Sequence, residues 1–154
     1  QLRTLAHTYQ LAQLVAKVVR ANFVVAFSGD LGAGKTTLIR EILKSYGIKG
    51  SIKSPTFTYV EPYERDNINF YHFDLYRFSD PDEWFHFGFD EYFNERHICF
   101  IEWAENAGEL IPFIDWRINM QVSNGVHNCE IVAYTEKGHA CLKSLMINGA
   151  NLFN

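Results

Sequence analysis

Apolar positions along the chain follow two periods, and they predict the elements in order. Leu5, Tyr9, Ala12, Val15 and Val19, flanked by Leu11, Leu14 and Val18, recur at helical spacing and predict an amphipathic helix over 5–20. Residues 23–28 are a continuous Phe-Val-Val-Ala-Phe-Ser run, the pattern of a buried parallel strand. Helical spacing returns at Leu38, Ile39, Ile42, Leu43 and Tyr46, so 36–46 reads as a second helix, stopped by Gly47. A polar connector covers 50–56, where Pro55 biases Ser54 away from helix. β-branched and aromatic residues predict strands over 57–61 and 68–73, joined as an antiparallel hairpin by the polar turn 64–67. Asp80 and Pro81 have the chemistry of a helix cap and first position, and that helix stops near Gly88. A third apolar strand, 97–101, ends at Glu102-Trp103. Residues 116–122 and 129–134 flank Asn124-Gly125 as a late hairpin, and 135–147 reads as a C-terminal helix. With no repeat, linker or low-complexity tract, residues 1–154 read as one α/β domain.

The junction between the first strand and the second helix carries the chemistry. Gly29-Asp30-Leu31-Gly32-Ala33-Gly34-Lys35-Thr36 has the spacing Gly-x4-Gly-Lys-[Ser/Thr] of a phosphate-binding P-loop. Gly29, Gly32 and Gly34 reach positive φ cheaply and let the backbone approach phosphate, so successive N–H groups can form an anion nest. The next helix adds unpaired N–H donors and the positive end of its dipole. Lys35 suits the β- and γ-phosphates, and the Thr36 hydroxyl suits Mg²⁺. A glycine turn without ligand is the competing reading. The strand–loop–helix context argues against it, and the expected fold is a P-loop NTPase-like three-layer α/β domain with a mixed, mainly parallel central sheet and antiparallel strands. Gly32, Ala33, Gly34, Lys35, Thr36 and Thr37 are the expected nucleotide-binding residues.

A P-loop cation needs a carboxylate, and in parallel sheets the carboxyl ends of the strands face the ligand crevice. Asp74 and Glu102 both stand where an apolar strand ends. Glu102 follows the better strand and is the stronger candidate metal ligand with Thr36, while Asp74 can polarise a water or act in the cation's outer shell. Lys35, Asp74 and Glu102 form the candidate catalytic set. Thr56, in the connector, could reach the cation or the γ-phosphate, or could simply form a turn. Trp103 could serve the core or a lid, or could stack on a partner or ligand.

Composition narrows the partners. The net charge is −4 and Lys and Arg are scattered with no basic run, so any nucleic-acid role is expected to run through a partner. Aromatic residues make up 16% of the chain, including 13 Phe and 8 Tyr, which points to an aromatic core and interface. No apolar stretch is long enough to span a bilayer, and no secretory leader is expected, which predicts a cytoplasmic protein without membrane contact. Three widely spaced cysteines, Cys99, Cys129 and Cys141, suit reduced, mostly buried thiols rather than a zinc site.

The P-loop through Thr37, Ser54-Pro55-Thr56-Phe57, His72-Phe73-Asp74-Leu75-Tyr76-Arg77 and Ile101-Glu102-Trp103, in that order and spacing, closely resemble the TsaE family, once called YjeE. These are P-loop ATPases of bacterial tRNA threonylcarbamoyladenosine biosynthesis, and the resemblance spans about residues 5 to 135. It implies ATP or ADP with Mg²⁺, slow hydrolysis alone, and docking on TsaB and TsaD-type proteins, with tRNA met only through that complex. It implies Thr36 and Glu102 as Mg²⁺ ligands, with Lys35 and Asp74 in nucleotide and metal work. The chain departs from the family at 82–88, which is more aromatic, and near Gly125-Val126-His127, where an Arg is often found.

Two other uses of the loop compete. A small-molecule kinase would carry an Arg-rich lid, yet only Arg77 and Arg96 lie between the acidic strand ends. A GTPase-like switch would carry an Asn-Lys-x-Asp stretch, which is missing, and this favours adenine.

Overall fold

The computed structural model describes residues 1–55, 57–94 and 96–152. Its elements run α1 (Leu5–Val18), β1 (Phe23–Ser28), α2 (Lys35–Ser45), β2 (Val60–Arg65), β3 (Ile68–Asp74), α3 (Pro81–His86), β4 (His97–Glu102), β5 (Trp116–Ser123), β6 (Val126–Ala133) and α4 (Glu136–Asn148). Six strands form one sheet in the order β2-β3-β4-β1-β5-β6. The central four, β3, β4, β1 and β5, are mutually parallel, while β2 and β6 pair antiparallel at the two edges. The mixed, mainly parallel sheet is the one expected from the sequence.

Strand parity divides the core into two layers. Phe23, Val25 and Phe27 of β1 face α1, α2 and α4, packing with Leu11, Val15, Leu38, Ile39, Ile42 and Leu43. Val24 and Ala26 face the opposite layer, built from Phe73, Phe78, Trp84, Phe89 and Ile101 around α3 and short 3-10 turns. Four α2 side chains, Leu38, Ile39, Ile42 and Leu43, are wholly buried. At about 1.5–3 kcal/mol each, their burial anchors the helix that carries the loop. Gly47, at φ 97°, ends α2 in a Schellman motif: Ile48 N–H donates to Leu43 O at 3.1 Å and Gly47 N–H to Lys44 O at 2.9 Å. Asp80 caps α3 by accepting from Asp82 N–H at 2.9 Å, with Pro81 in the first position.

Some boundaries move, each for a local reason. The strand expected over 57–61 begins only at Val60, because Tyr59 sits at φ 64° and its N–H closes a turn onto Pro55 O at 3.0 Å. The hairpin turn shrinks to Asp66 and Asn67, at φ 52° and 63°, so Glu64 and Arg65 pair in the ladder. Pro62 is tolerated because β2 is an edge strand. The late turn is likewise only Asn124 and Gly125, and β6 starts at Val126 rather than 129. Helix α1 ends at Val18, two residues short of the expected boundary, as Val19 turns extended. Thr135 is the cap of α4, accepting from Gly138 N–H at 3.0 Å. All three cysteines are free: Cys99 is buried and the other two half-buried. Burial pushes the Cys99 thiol far above its ordinary value and the Cys129 thiol up to about 11, so neither is an activated nucleophile. No helix among the described residues is long and apolar enough to cross a membrane.

Candidate functional site

The glycine loop links the end of β1 to the start of α2, and its backbone takes the expected shape. Gly29, Gly32 and Gly34 stand at φ 144°, 82° and 100°. Their reasons differ. A Cβ on Gly29 would lie 2.2 Å from Met120 O, so this glycine is required by the approach of β5. Nothing lies within 4 Å of a Cβ on Gly32, which faces open space. Gly34 caps α2 and has no side chain to satisfy its first N–H groups. Those donors are left directed along the helix axis into the loop, together with the positive end of the helix dipole.

The sheet brings the acids to this loop. β4 lies between β1 and β3, with Glu102 level with Phe27 on one side and Asp74 on the other. Both strand-end carboxylates therefore stand side by side beneath α2. A cleft of about 440 Å³ is lined by residues 30–37 and by Asp74, Tyr76, Arg77, Glu102, Trp103 and Ser54. The expected nucleotide residues Gly32, Ala33, Gly34, Lys35, Thr36 and Thr37 and the expected acids share this one cleft. Thr56 lies outside the described residues.

Glu102 is buried and densely bonded. The Thr36 hydroxyl donates to it, 2.9 Å from Oε1 and 3.0 Å from Oε2. His72 Nε2 lies 2.7 Å from Oε2. The hydroxyl and the carboxylate are hard oxygen donors within reach of one small divalent cation. Among the described residues no group of three or more His, Cys, Asp and Glu could hold a metal ion, so a cation here would need oxygens from a ligand or from water.

Lys35 is also buried. Its ammonium donates to Gly29 O and to Asp30 O, at 3.2 Å from the latter, and sits 4.2 Å over the Trp103 ring. Trp103 itself stands at φ 58°, a left-handed conformation that a tryptophan rarely adopts, and packs 5.0 Å from Tyr76. Of the roles the sequence offered, the structure shows core packing, with Trp103 partly buried against the layer around α3, and its ring also meets the Lys35 ammonium. Asp74 is half-buried, and the Tyr76 N–H donates to its Oδ1 at 3.0 Å. Burial raises its carboxyl above the ordinary carboxylate value; the Tyr76 hydrogen bond opposes this, and the Glu102 charge adds to it.

Sequence reasoning missed His72 as a site residue. The signal available was strand parity: His72 and Asp74 are two apart on β3 and share a face. It also missed a second cavity, about 410 Å³, on the other side of the loop. This one is lined by Leu2, Thr4, Thr8, Met120, Gly125 and His127, and shares Gly32, Gly34 and Thr37 with the first. His127 reaches the loop directly, its Nδ1 3.0 Å from Ala33 O. No local pattern marks this cavity, because the N-terminal segment and the late hairpin meet only in the fold, where Leu2 N–H donates to His127 O at 2.7 Å.

The family model described as "Threonylcarbamoyl adenosine biosynthesis protein TsaE" matches residues 2–130, which include every residue of the cleft. The chain is 40% identical over 130 residues to the tRNA threonylcarbamoyladenosine biosynthesis protein TsaE of Haemophilus influenzae, covering 84% of this chain and 82% of that one. It is 38% identical over 105 residues to the protein of the same name from Bacillus subtilis, covering 68% and 65%. The crystal structure of Bacillus subtilis YdiB superposes with a TM-score of 0.80 at 26% identity, over 94% of this chain and 90% of that one. The fold is thus an α/β P-loop-like fold.

Proposed function

The chain belongs to the TsaE family, and on that premise we propose that it is the Mg²⁺-dependent, ATP-binding and ATP-hydrolysing component of tRNA threonylcarbamoyladenosine modification. It works in the cytoplasm with TsaB- and TsaD-type proteins, as one P-loop ATPase domain. Weak hydrolysis alone is stimulated by those partners, and chemistry on tRNA belongs to them. An acidic chain of net charge −4 suits a protein that meets tRNA only indirectly.

The observation that carries this reading is the Thr36 hydroxyl set on both oxygens of a buried Glu102, at the start of the helix that follows a positive-φ glycine loop. Phosphates fit the loop and the first turn of α2, where backbone N–H groups converge. Lys35 supplies a point charge to the β- and γ-phosphates. Thr36 and Glu102 would hold Mg²⁺, which when bound neutralises charge on the phosphate oxygens. Asp74, aimed by the Tyr76 N–H, accepts a hydrogen bond from the attacking water and orients it. Trp103 and Tyr76 line the cleft and pack against each other. The base, at the opposite end of ATP or ADP, fits the second cavity between Thr4, Thr8 and His127, which is continuous with the loop.

The test is ATPase rate with and without a TsaB–TsaD pair, in Mg²⁺ and in EDTA. Mg²⁺-dependent hydrolysis that rises on adding the pair is expected. ATP consumption that requires a small metabolite acceptor, and ignores the pair, would overturn the proposal in favour of a kinase.

A further inference from the structure

His72 is almost wholly buried on β3, on the face that meets α2. Its ring makes one hydrogen bond, Nε2 to Glu102 Oε2 at 2.7 Å, and its Nδ1 is buried with no partner among the described residues. A proton on Nδ1 would be a buried donor with nothing to accept it, at about 1–3 kcal/mol, whereas a lone pair there is tolerated more easily. The ring therefore carries its hydrogen on Nε2 and donates it to the carboxylate. Glu102 is then held from two sides, by the Thr36 hydroxyl above and the imidazole beside it. No cleft-lining role falls to His72 itself: Asp74 and Glu102 border the cleft and His72 does not.

We propose that His72 is the positioning residue of the cation site: its Nε2–H clamps Glu102 Oε2 and fixes the carboxylate beside the Thr36 hydroxyl, so that both oxygens are presented together to a divalent cation. The proposal rests on the nucleotide and Mg²⁺ reading above. It fits the physics of metal sites, in which a partner holding a ligand removes the entropy of ordering it at binding and tunes its basicity.

Calorimetry of ADP binding, in EDTA and across a Mg²⁺ titration, tests it without turnover. His72→Phe keeps the ring volume and removes the donor. It should raise the Mg²⁺ concentration needed to tighten ADP binding by about 10–100-fold, while ADP affinity in EDTA stays within about threefold of wild type. His72→Gln, whose amide can donate from a similar distance, should recover much of that loss. An unchanged Mg²⁺ midpoint in His72→Phe would overturn the proposal, as would an equal loss of ADP affinity with and without Mg²⁺. Wild-type protein that binds no ADP would overturn the nucleotide reading, and the proposal with it. If His72→Phe does not fold by circular dichroism, nitrogen NMR of the wild-type ADP complex decides. Adding Mg²⁺ must shift the His72 Nε2 resonance more than Nδ1, and an unmoved ring refutes the clamp.

Discussion

Replacing Lys35 by methionine separates binding from folding. The lysine is 5% exposed, and its ammonium meets Gly29 O, Asp30 O and the Trp103 ring. No carboxylate among the described residues pairs with it. Burying such a charge costs several kcal/mol. Two hydrogen bonds from a charged donor return about 1.5–3 kcal/mol each, and the ring contact about 0.5–2. These terms offset, and methionine keeps the buried stem, so the melting temperature of the protein without ligand should move by no more than about 4 °C. Binding loses more. One charge-assisted hydrogen bond to phosphate contributes about 1.5–3 kcal/mol, hence about 10- to 150-fold in ADP affinity. Coulomb attraction at 4 Å and an effective dielectric of 20, about 4 kcal/mol, sets the upper bound near 1,000-fold. Calorimetry with ADP and Mg²⁺, alongside thermal melts of the same preparations, reads both quantities. Wild-type ADP affinity in Lys35→Met refutes the phosphate role. A fall in melting temperature beyond about 8 °C, matched by a proportionate loss of binding, would make the lysine a structural strut instead.

Gly29→Ala should destabilise the fold by about 3 kcal/mol or more, because φ 144° and the 2.2 Å approach of Met120 O combine backbone strain with a clash. Gly50→Ala, at φ 88° in open space, should cost only about 1 kcal/mol, and equal denaturant midpoints for the two would contradict the glycine assignments. Glu102→Gln should lower Mg²⁺-dependent hydrolysis by about 100-fold while ADP binding in EDTA changes little; parallel losses would remove Glu102 from the metal role. Asp74 binds its proton more tightly in the folded chain than in the unfolded one, chiefly through burial. Its base form is therefore lost as pH falls through that raised value, and the acid limb of the rate profile should lie above the ordinary carboxylate range. The same sign means that the ionised carboxyl opposes folding above its ordinary value, so Asp74→Asn should melt higher at neutral pH and hydrolyse ATP more slowly. An Asp74→Asn protein with a lower melting temperature, or an unchanged rate profile, would refute this.

Much of the site was legible because its parts are local. A loop of glycines between an apolar run and a helical pattern specifies its own φ angles, and 29–37 could be read from consecutive residues. The Gly47 stop, the Asp80-Pro81 cap and the Asn124-Gly125 turn are of the same kind. Asp74 and Glu102 could be nominated because each ends an apolar strand, and strand ends in a parallel sheet meet the crevice. The β2 boundary was misjudged because Tyr59 adopts a turn that its β-propensity disfavours, stabilised by bonds and rings from elsewhere in the fold.

Local chemistry thus determined the loop, the helix behind it and the kind of ligand they suit. Tertiary structure decided which distant groups reach that loop. Placing β4 between β1 and β3 puts Glu102 under Thr36, 66 residues away in sequence, and His72 beside Glu102, 30 residues away. Likewise, the approach of β5 adds a steric demand at Gly29 to the one its positive φ already makes, and only the meeting of the N-terminus with the β5–β6 hairpin creates the second cavity. Strand order and register are set by how all the apolar faces bury at once, a collective property that no short stretch of residues carries.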